Sequence, residues 1–541
     1  MYRVKNVYLI CGFSAIGGGL FGYDISSMSG VIGTAAYKRY FGDPVSYRQG
    51  GITASMPAGS FVGSLASSFI ADRFSRKVAL QVGCILWIIG SIIQCASQNI
   101  TMLCAGRVIS GLCVGIASSI VPVYMSEIAP KEIRGRVVSL QQWAITWGIL
   151  MGYFLQYIAA TAGGGPDNPG QSEAAFRIPW GLQMCPAFFL FASLFFFPHS
   201  PRWLASQDRW EEAVQVIADL HGGGNVNHAK VLAEYKEIEE ALRFEREEAV
   251  SSFGALVQPR ILKRVVLGMM VQMWSQLSGI NAMMYYVVYI VESAQIGSPL
   301  TTAAVQYVLN VVLTLPAILF LDKVGRRPTF IVGSFLMMVF LFISGALLAI
   351  FGQPNTGQGN IDITWVVVDN VPASSAIVAS SFLFVAAFAT TWGPTSWAYA
   401  AEIPPPQVRA TAVSISTATN WLWNMVLAFA VPPLFWSANW KMYMIFAACN
   451  GAACLHMGLF AHETAGLTLE EMDDVFDSGR PAWRPNKRPS RLDALQKDIE
   501  QGNVQVSAPS SAGSMELKGD GDKVVALTTI ERIHTHAGPA K

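Results

Sequence analysis

The chain has 541 residues, of which 52% are hydrophobic and 13% charged, where an ordinary soluble domain carries roughly 25% charged residues. So apolar a chain of this length excludes an ordinary water-soluble enzyme, and a net charge of +1 gives no electrostatic basis for binding nucleic acid. The eight cysteines all lie in apolar stretches without a metal-ligand CxxC spacing and read as small packing residues.

A bilayer core of ~30 Å needs about 20 mostly apolar residues per helix. Twelve stretches qualify: 7–28, 52–71, 78–98, 102–124, 137–158, 180–198, 265–292, 302–321, 329–351, 374–400, 410–433 and 440–461. The first has no small-residue cleavage site after its apolar part and reads as a span that stays. Basic residues recur on alternate sides: Arg3 and Lys5, then Arg73, Arg76 and Lys77, then Lys131, Arg134 and Arg136, then Lys323, Arg326 and Arg327, then Arg409. The positive-inside tendency places these, and both termini, in the cytoplasm. Lys38, Arg39 and Arg48 run against that trend and are outvoted.

Within the first span, "GGGLFGYDISSMSGV" (17–31) sets Asp24 in an apolar, glycine-rich run. A lone charge at the bilayer centre costs about 2.5–3.5 kcal/mol on the lenient insertion scale, so a partner is expected. Arg107, in "CAGRVISG", is the one basic residue well inside an apolar stretch. With span 1 running outward and span 4 inward, both residues lie roughly 7 Å below the outer boundary. A cationic neighbour and desolvation act oppositely on a carboxyl, so its protonation is sensitive to geometry, as a proton carrier requires. The alternative is a permanent structural salt bridge.

Residues 199–264 are rich in charge and predict a cytoplasmic surface helix between spans 6 and 7, while the polar tail 466–541 reads as disordered. The chain thus divides into a six-helix half (1–198), a cytoplasmic helical linker (199–264), a second six-helix half (265–465) and the tail (466–541). The halves repeat. "DRFSRK" (72–77) follows span 2 and "DKVGRR" (322–327) follows span 8; Glu127 and Arg134 after span 4 are matched by Glu402 and Arg409 after span 10. Parallel six-span halves are one architecture of secondary transporters, with the substrate site between them near the midplane. Recurrence in both halves favours a gating role for Arg73, Glu127, Arg134, Arg326, Glu402 and Arg409, as breakable ion pairs between the halves on the cytoplasmic side. The alternative is that they are topology signals only.

Polar residues interrupt the spans at Gln142, Gln276, Asn281, Asn310, Trp397, Asn420, Trp421 and Asn424. Amides donate and accept at once and match a ring of hydroxyls, while an indole covers a weakly apolar ring face. Gln276 and Asn281 share a face only loosely on a regular helix, and Gly279 between them allows local unwinding. Asn420 and Asn424 are i, i+4 and share one face. Interhelical hydrogen-bonding glue is the competing explanation for such residues.

Several motifs occur in order: "FGYD", "GRVISG" (106–111), "VPVYMSEIAPKEIRGR" (121–136), "FPHSPRWL" (197–204), "QLSGINAMMYYV" (276–287), "DKVGRRP" (322–328) and "WGPTSWAYAAEIPPPQVRATA" (392–412). Over roughly residues 7 to 470 the sequence resembles the sugar porters of the major facilitator superfamily, and within them the fungal hexose transporters. The resemblance implies an all-α membrane protein of twelve transmembrane helices in two six-helix halves. It implies that Gln142, Gln276, Asn281, Asn310, Trp397 and Asn420 face a sugar, with Asn424 a further candidate. It also implies that Asp24 and Arg107 are neighbours and that Tyr285 and Tyr286 match the outer-gate tyrosines. Three departures stand out: "PHSPR" for the usual PESPR, "HETAG" for PETKG, and Ser275-Gln276 for a double glutamine.

The resulting expectation is a plasma-membrane monosaccharide–proton symporter for glucose and related hexoses, functional as a monomer. Its partners would be the sugar, the proton and the bilayer, with no nucleic acid, cofactor or metal. Facilitated diffusion through the same fold and a transporter-like sugar sensor are the rival expectations. No nucleophile–base pair, Walker loop or metal-ligand cluster suggests an enzyme or ATP-driven transport.

Overall fold

The computed structural model describes residues 4–32, 34–44, 46–165, 168, 170–248, 254, 256–285, 287–294, 299–355, 365–368, 370–405, 408–467, 472–477, 481–483, 496–497 and 501. Tyr286 and nearly all of the tail 466–541 beyond residue 477 lie outside them. Among the described residues, eight helices are long and apolar enough to cross a membrane: Val7–Val31, Arg76–Cys95, Ile100–Ile128, Arg134–Ala162, Thr302–Val324, Arg326–Phe351, Val371–Glu402 and Lys441–Phe460.

The other four expected spans differ for physical reasons. Ser46–Phe74 and Arg409–Ala438 have 29 and 30 residues, ample length to cross, but they are rich in polar side chains. These two helices pack along each other, with Ser67 Oγ 3.0 Å from Ser414 Oγ and the Tyr47 and Phe429 rings 5.8 Å apart. Most of their described serines, threonines and asparagines are therefore buried against protein, which is where polar side chains are tolerated in a spanning bundle. Stretch 180–198 is interrupted at Gln183, between helices Ala174–Leu182 and Met184–Leu194. Stretch 265–292 is broken at Gly279, whose φ of +90° ends the Pro259–Leu277 helix before Ile280–Tyr285 begins.

In the first span, glycine permits close approach to a specific neighbour. A Cβ at Gly22 would collide with the Ile145 carbonyl of the Leu140–Ala162 helix. The linker forms three described helices, Pro201–Ser206, Trp210–His221 and Ala229–Glu248, around a small core of Trp203, Leu204, Val214, Ile217 and Val231. It docks on the ends of the N-terminal half, where Lys5 Nζ lies 3.0 Å from Asp219 and Lys230 Nζ 3.0 Å from Glu132. The loop 352–373 contains a short antiparallel pairing of Gly352–Pro354 with Trp365–Val367.

Candidate functional site

Asp24 sits on the Ile16–Val31 helix and Arg107 on Ile100–Ile128, and the fold brings them together. Arg107 Nη1 donates to Asp24 Oδ1 at 3.3 Å and Nη2 to Oδ2 at 3.2 Å, a parallel two-bond geometry that suits a guanidinium and a carboxylate. Arg107 Nε donates to the Ile52 carbonyl at 3.1 Å. The arginine thereby ties the acid to the Ser46–Phe74 helix, which forms one wall between the halves.

Polar residues of the second half form a hydrogen-bonded cluster. Gln276 is central. Its Nε2 donates to Asn420 Oδ1 at 2.8 Å, and its Oε1 accepts from Asn281 Nδ2 at 2.5 Å and from Asn424 Nδ2 at 3.5 Å. The break at Gly279 makes the Asn281 contact possible, since a straight helix would turn the two side chains apart. Asn420 Nδ2 in turn donates to Gln272 Oε1 at 2.7 Å, and Gln272 reaches the Ser396 carbonyl at 3.4 Å. Sequence reasoning missed Gln272; its position four residues before Gln276, one helical turn away on the same face, was the available signal.

Contacts cross between the halves here. Trp397 Nε1 donates to Gln142 Oε1 at 3.2 Å, Trp421 Nε1 donates to Ser118 Oγ at 2.9 Å, and the Trp421 ring stands edge-on to Phe21 at 4.6 Å. Asn310 is 3% exposed, and its Oδ1 has no hydrogen-bond partner among the described residues. Tyr285 is buried; its hydroxyl bonds to Asn424 and lies in the field of Asp24 and Arg107. Tyr285 therefore stands between the amide chain, through Asn424, and the field of the buried ion pair.

On the linker side the two halves carry matching charged sets. In the first, Arg76 Nη2 donates to Glu127 Oε1 at 3.2 Å and Arg76 Nη1 to Asp72 at 3.2 Å, while Ser200 Oγ donates to Glu127 Oε2 at 2.5 Å. In the second, Arg326 Nη2 donates to Glu402 Oε1 at 2.7 Å and to Asp322 at 3.0 Å, while Thr464 Oγ1 donates to Glu402 Oε2 at 2.7 Å. This corrects the expectation for Arg73, which is exposed, with its guanidinium 5.9 Å from the Phe74 ring centroid. The arginine one helical turn inward, Arg76, meets the glutamate instead, as Arg326 does in the second half.

Both of these pairs are internal to one half, while Arg134 of the first half lies in the field of Glu402 of the second. Charge-to-backbone bonds also meet here: the Arg136 N–H donates to Asp322 Oδ2 of the second half at 2.9 Å, and Arg134 Nη1 donates to the carbonyl of Leu467, at the start of the tail, at 3.3 Å. Arg409 Nη2 donates to the Pro404 carbonyl at 3.3 Å. On the opposite side the Tyr153 and Tyr307 rings meet at 5.0 Å across the halves. Contacts thus join the halves on both sides of the polar cluster.

The departure "PHSPR" has a local structural counterpart. In the second half Glu463 accepts the N–H groups of Arg326 (2.9 Å) and Arg327 (3.1 Å) at the start of a helix whose N-cap is Gly325. In the first half Ser75 takes the N-cap place, accepts the Lys77 N–H at 3.2 Å, and lies 2.7 Å from His199 Nδ1. Burial, with Lys77 and Arg209 adding repulsion, pushes the His199 pKa down to about 4, so the ring that meets the Ser75 hydroxyl is neutral. Serine capping replaces the work of the missing acid.

The family model described as "Sugar (and other) transporter" matches residues 10–476. A protein of Aspergillus flavus named MFS glucose transporter mfs1 is 62% identical over 515 residues, covering 95% of this chain and 97% of that protein. A Kluyveromyces lactis protein named high-affinity glucose transporter is 43% identical over 508 residues, covering 93% of this chain and 90% of that protein. Among solved structures, the proton:xylose symporter XylE bound to 6-bromo-6-deoxy-D-glucose is similar at a TM-score of 0.74 and 26% identity, over 87% of this chain and 99% of that one.

Proposed function

We propose, for a chain that belongs to the sugar transporter family, that it takes up a hexose, with glucose the leading substrate, by proton symport through alternating access. The observation that carries this reading is Tyr285, bonded to Asn424 of the Gln272–Asn420–Gln276–Asn281 amide cluster and lying in the field of the buried Asp24–Arg107 pair. Support comes from relatives named as glucose transporters and from a similar structure named as a proton symporter. The protein is a transporter and not an enzyme.

In this cycle, a proton from outside neutralises Asp24 and loosens Arg107. Because Arg107 also holds the Ile52 carbonyl, its release reaches the Ser46–Phe74 helix and, through Tyr47 and Phe429, the Arg409–Ala438 helix of the other half. The sugar's hydroxyls replace some of the amide-to-amide bonds around Gln276 and meet Asn310 Oδ1, and Trp397 covers a ring face. Tyr285, with Tyr286 beside it in sequence, closes the outer side. Charge-to-backbone bonds at Arg134 and Arg136 open the inner side, supported by the Arg76–Glu127 and Arg326–Glu402 pairs and by Arg409. The proton then leaves and the ion pair re-forms.

The accompanying topology is twelve spans in two six-helix halves. The four expected spans with weak apolar signal are those at the half interface (52–71 and 410–433) and those broken by Gln183 and Gly279. The linker 199–264, both termini and the tail from 466 face the cytoplasm at the plasma membrane. The unit is a monomer, with sugar and proton as its partners.

The test uses reconstituted vesicles and labelled glucose, with and without an inward proton gradient, for the native protein and Asp24→Asn. Accumulation above equilibrium in the native protein, lost in the variant, is the expected result. Equilibration without accumulation would reject symport in favour of facilitated diffusion. Surface expression without restored uptake, in a cell that lacks hexose transporters, would instead favour a sensor.

A further inference from the structure

Breaking a helix inside a membrane leaves backbone carbonyls without their usual donors, and a neighbouring group must meet them. At the Gly279 break most are met locally. Trp274 O accepts the Ser278 N–H at 2.8 Å, Gln276 O accepts the Gly279 N–H at 3.1 Å, and Gly279 O accepts the Met283 N–H at 3.0 Å. The Ser278 carbonyl is met from another helix. Asn450, on Lys441–Phe460, donates to it from Nδ2 at 2.9 Å.

Asn450 is held for this task. The same Nδ2 also donates to the Phe446 carbonyl one turn earlier at 2.8 Å, and the residue is 1% exposed. Its Oδ1 is buried with no hydrogen-bond partner among the described residues, a cost that a residue selected only for packing would not carry. Phe446 grips the break from the same helix turn: a Cβ at Gly279 would stand 2.9 Å from its Cγ. One turn of Lys441–Phe460 therefore holds the break by a hydrogen bond and by an aromatic ring. On either side of that point lie Gln276, in the amide chain, and Asn281 and Tyr285, on the segment that faces Asp24.

We propose that Asn450 is a positioning residue that fixes the pivot at Ser278–Gly279, about which the segment beginning at Ile280 swings to close over the bound sugar. It touches neither the amide chain nor the ion pair and acts through the Ser278 backbone. The proposal rests on the alternating-access reading above and adds to it the residue that anchors the moving segment. Gly279 supplies the freedom to bend, since its φ of +90° is one that glycine adopts without strain. Asn450 confines that freedom to one hinge, so that bending moves Asn281 and Tyr285 without moving Gln276.

The test compares native protein, Asn450→Ala, Phe446→Leu and the double variant in vesicles. Turnover of labelled glucose is measured in net uptake and in exchange, apparent affinity is measured alongside, and thermal unfolding in detergent reports the fold. Both transport modes require the segment to close. Asn450→Ala is therefore expected to lower turnover in both by about five- to tenfold, the rate equivalent of one net hydrogen bond, with KM changed by less than about threefold. The double variant is expected to lose less than the product of the single losses, because both residues hold one hinge.

A folded Asn450→Ala protein with turnover within about twofold of native overturns the proposal, as does a rise in KM large enough to account for the whole loss. Fully multiplicative losses in the double variant overturn it too. Asn450→Ser, too short to reach the carbonyl, takes the place of Asn450→Ala if that variant is not recovered folded. A native protein that moves no glucose in either mode instead rejects the transport reading itself, and is seen before any variant is compared.

Discussion

Arg107 meets Asp24 through both terminal nitrogens, at 3.3 and 3.2 Å, with each side chain 1% exposed. A pair this deep is kept in being by mutual satisfaction, and removing one partner strands the other. Arg107→Ala is expected to destabilise the protein by about 3–5 kcal/mol, read as a fall in unfolding temperature in detergent. Asp24→Asn retains an acceptor for the guanidinium and is expected to cost less stability while abolishing gradient-driven accumulation. Equal stability losses in the two variants would contradict this assignment.

Gln276 serves three amides at once, through Asn420, Asn281 and Asn424. Gln276→Ala is expected to raise the apparent KM for glucose about tenfold or more, since two or more hydrogen bonds of ~1 kcal/mol are lost together. Gln272→Ala, which removes one link at Asn420, is expected to raise it by roughly fivefold. Initial-rate uptake over a range of glucose concentrations checks both. An unchanged KM in Gln276→Ala would place the cluster among structural contacts.

Arg76 and Arg73 separate cleanly. Glu127 has a 2% exposed side chain and depends on Arg76, so Arg76→Ala leaves a buried carboxylate and is expected to cost about 3–5 kcal/mol. Arg73→Ala changes an exposed residue and is expected to fall within about 0.5 kcal/mol of native. Thermal unfolding of the two variants side by side distinguishes them. The reverse order would restore Arg73 to the gate.

His221 joins the linker to the first half, with Nδ1 2.6 Å from Glu234 Oε2 and Nε2 2.8 Å from the Ile128 carbonyl. Both partners accept, so the ring donates twice and is an imidazolium. Burial pulls its pKa down, but the Glu234 carboxylate and the Ile128 carbonyl outweigh that and raise it above the ordinary value, with Lys230 opposing. A raised pKa in the docked state means that the stabilisation is complete below the undocked value of about 6.5 and is lost as pH rises through the docked one. Hydrogen exchange of residues 210–243 is expected to quicken with rising pH beyond its intrinsic base-catalysed trend. His221→Gln is expected to remove that excess, and an excess that survives in the variant would show that another group is responsible.

Much of the site was legible because membrane burial makes polar residues conspicuous. Asp24 and Arg107 stand out as charges in apolar runs, and span direction alone matches their depth. The charged repeat held the Arg76 assignment too, since laying "DRFSRK" over "DKVGRR" puts Arg76 in the place of Arg326. Asn450 was not legible. It is one amide in an apolar helix, and its significance depends on which carbonyl stands opposite.

By itself, the sequence determined the apolar segments, the two repeated halves and the inventory of buried polar groups, because hydropathy and charge act locally and each stretch reports its own solvent. Tertiary structure alone decided which groups meet. It turned Ser46–Phe74 and Arg409–Ala438 toward each other, kept the Arg76–Glu127 and Arg326–Glu402 pairs within their own halves, and set Asn450 against the broken helix at Ser278. The reason is geometric: a hydrogen bond between helices forms only within about 3 Å and a narrow range of angles, and residues 172 positions apart reach that distance only once the helices have packed.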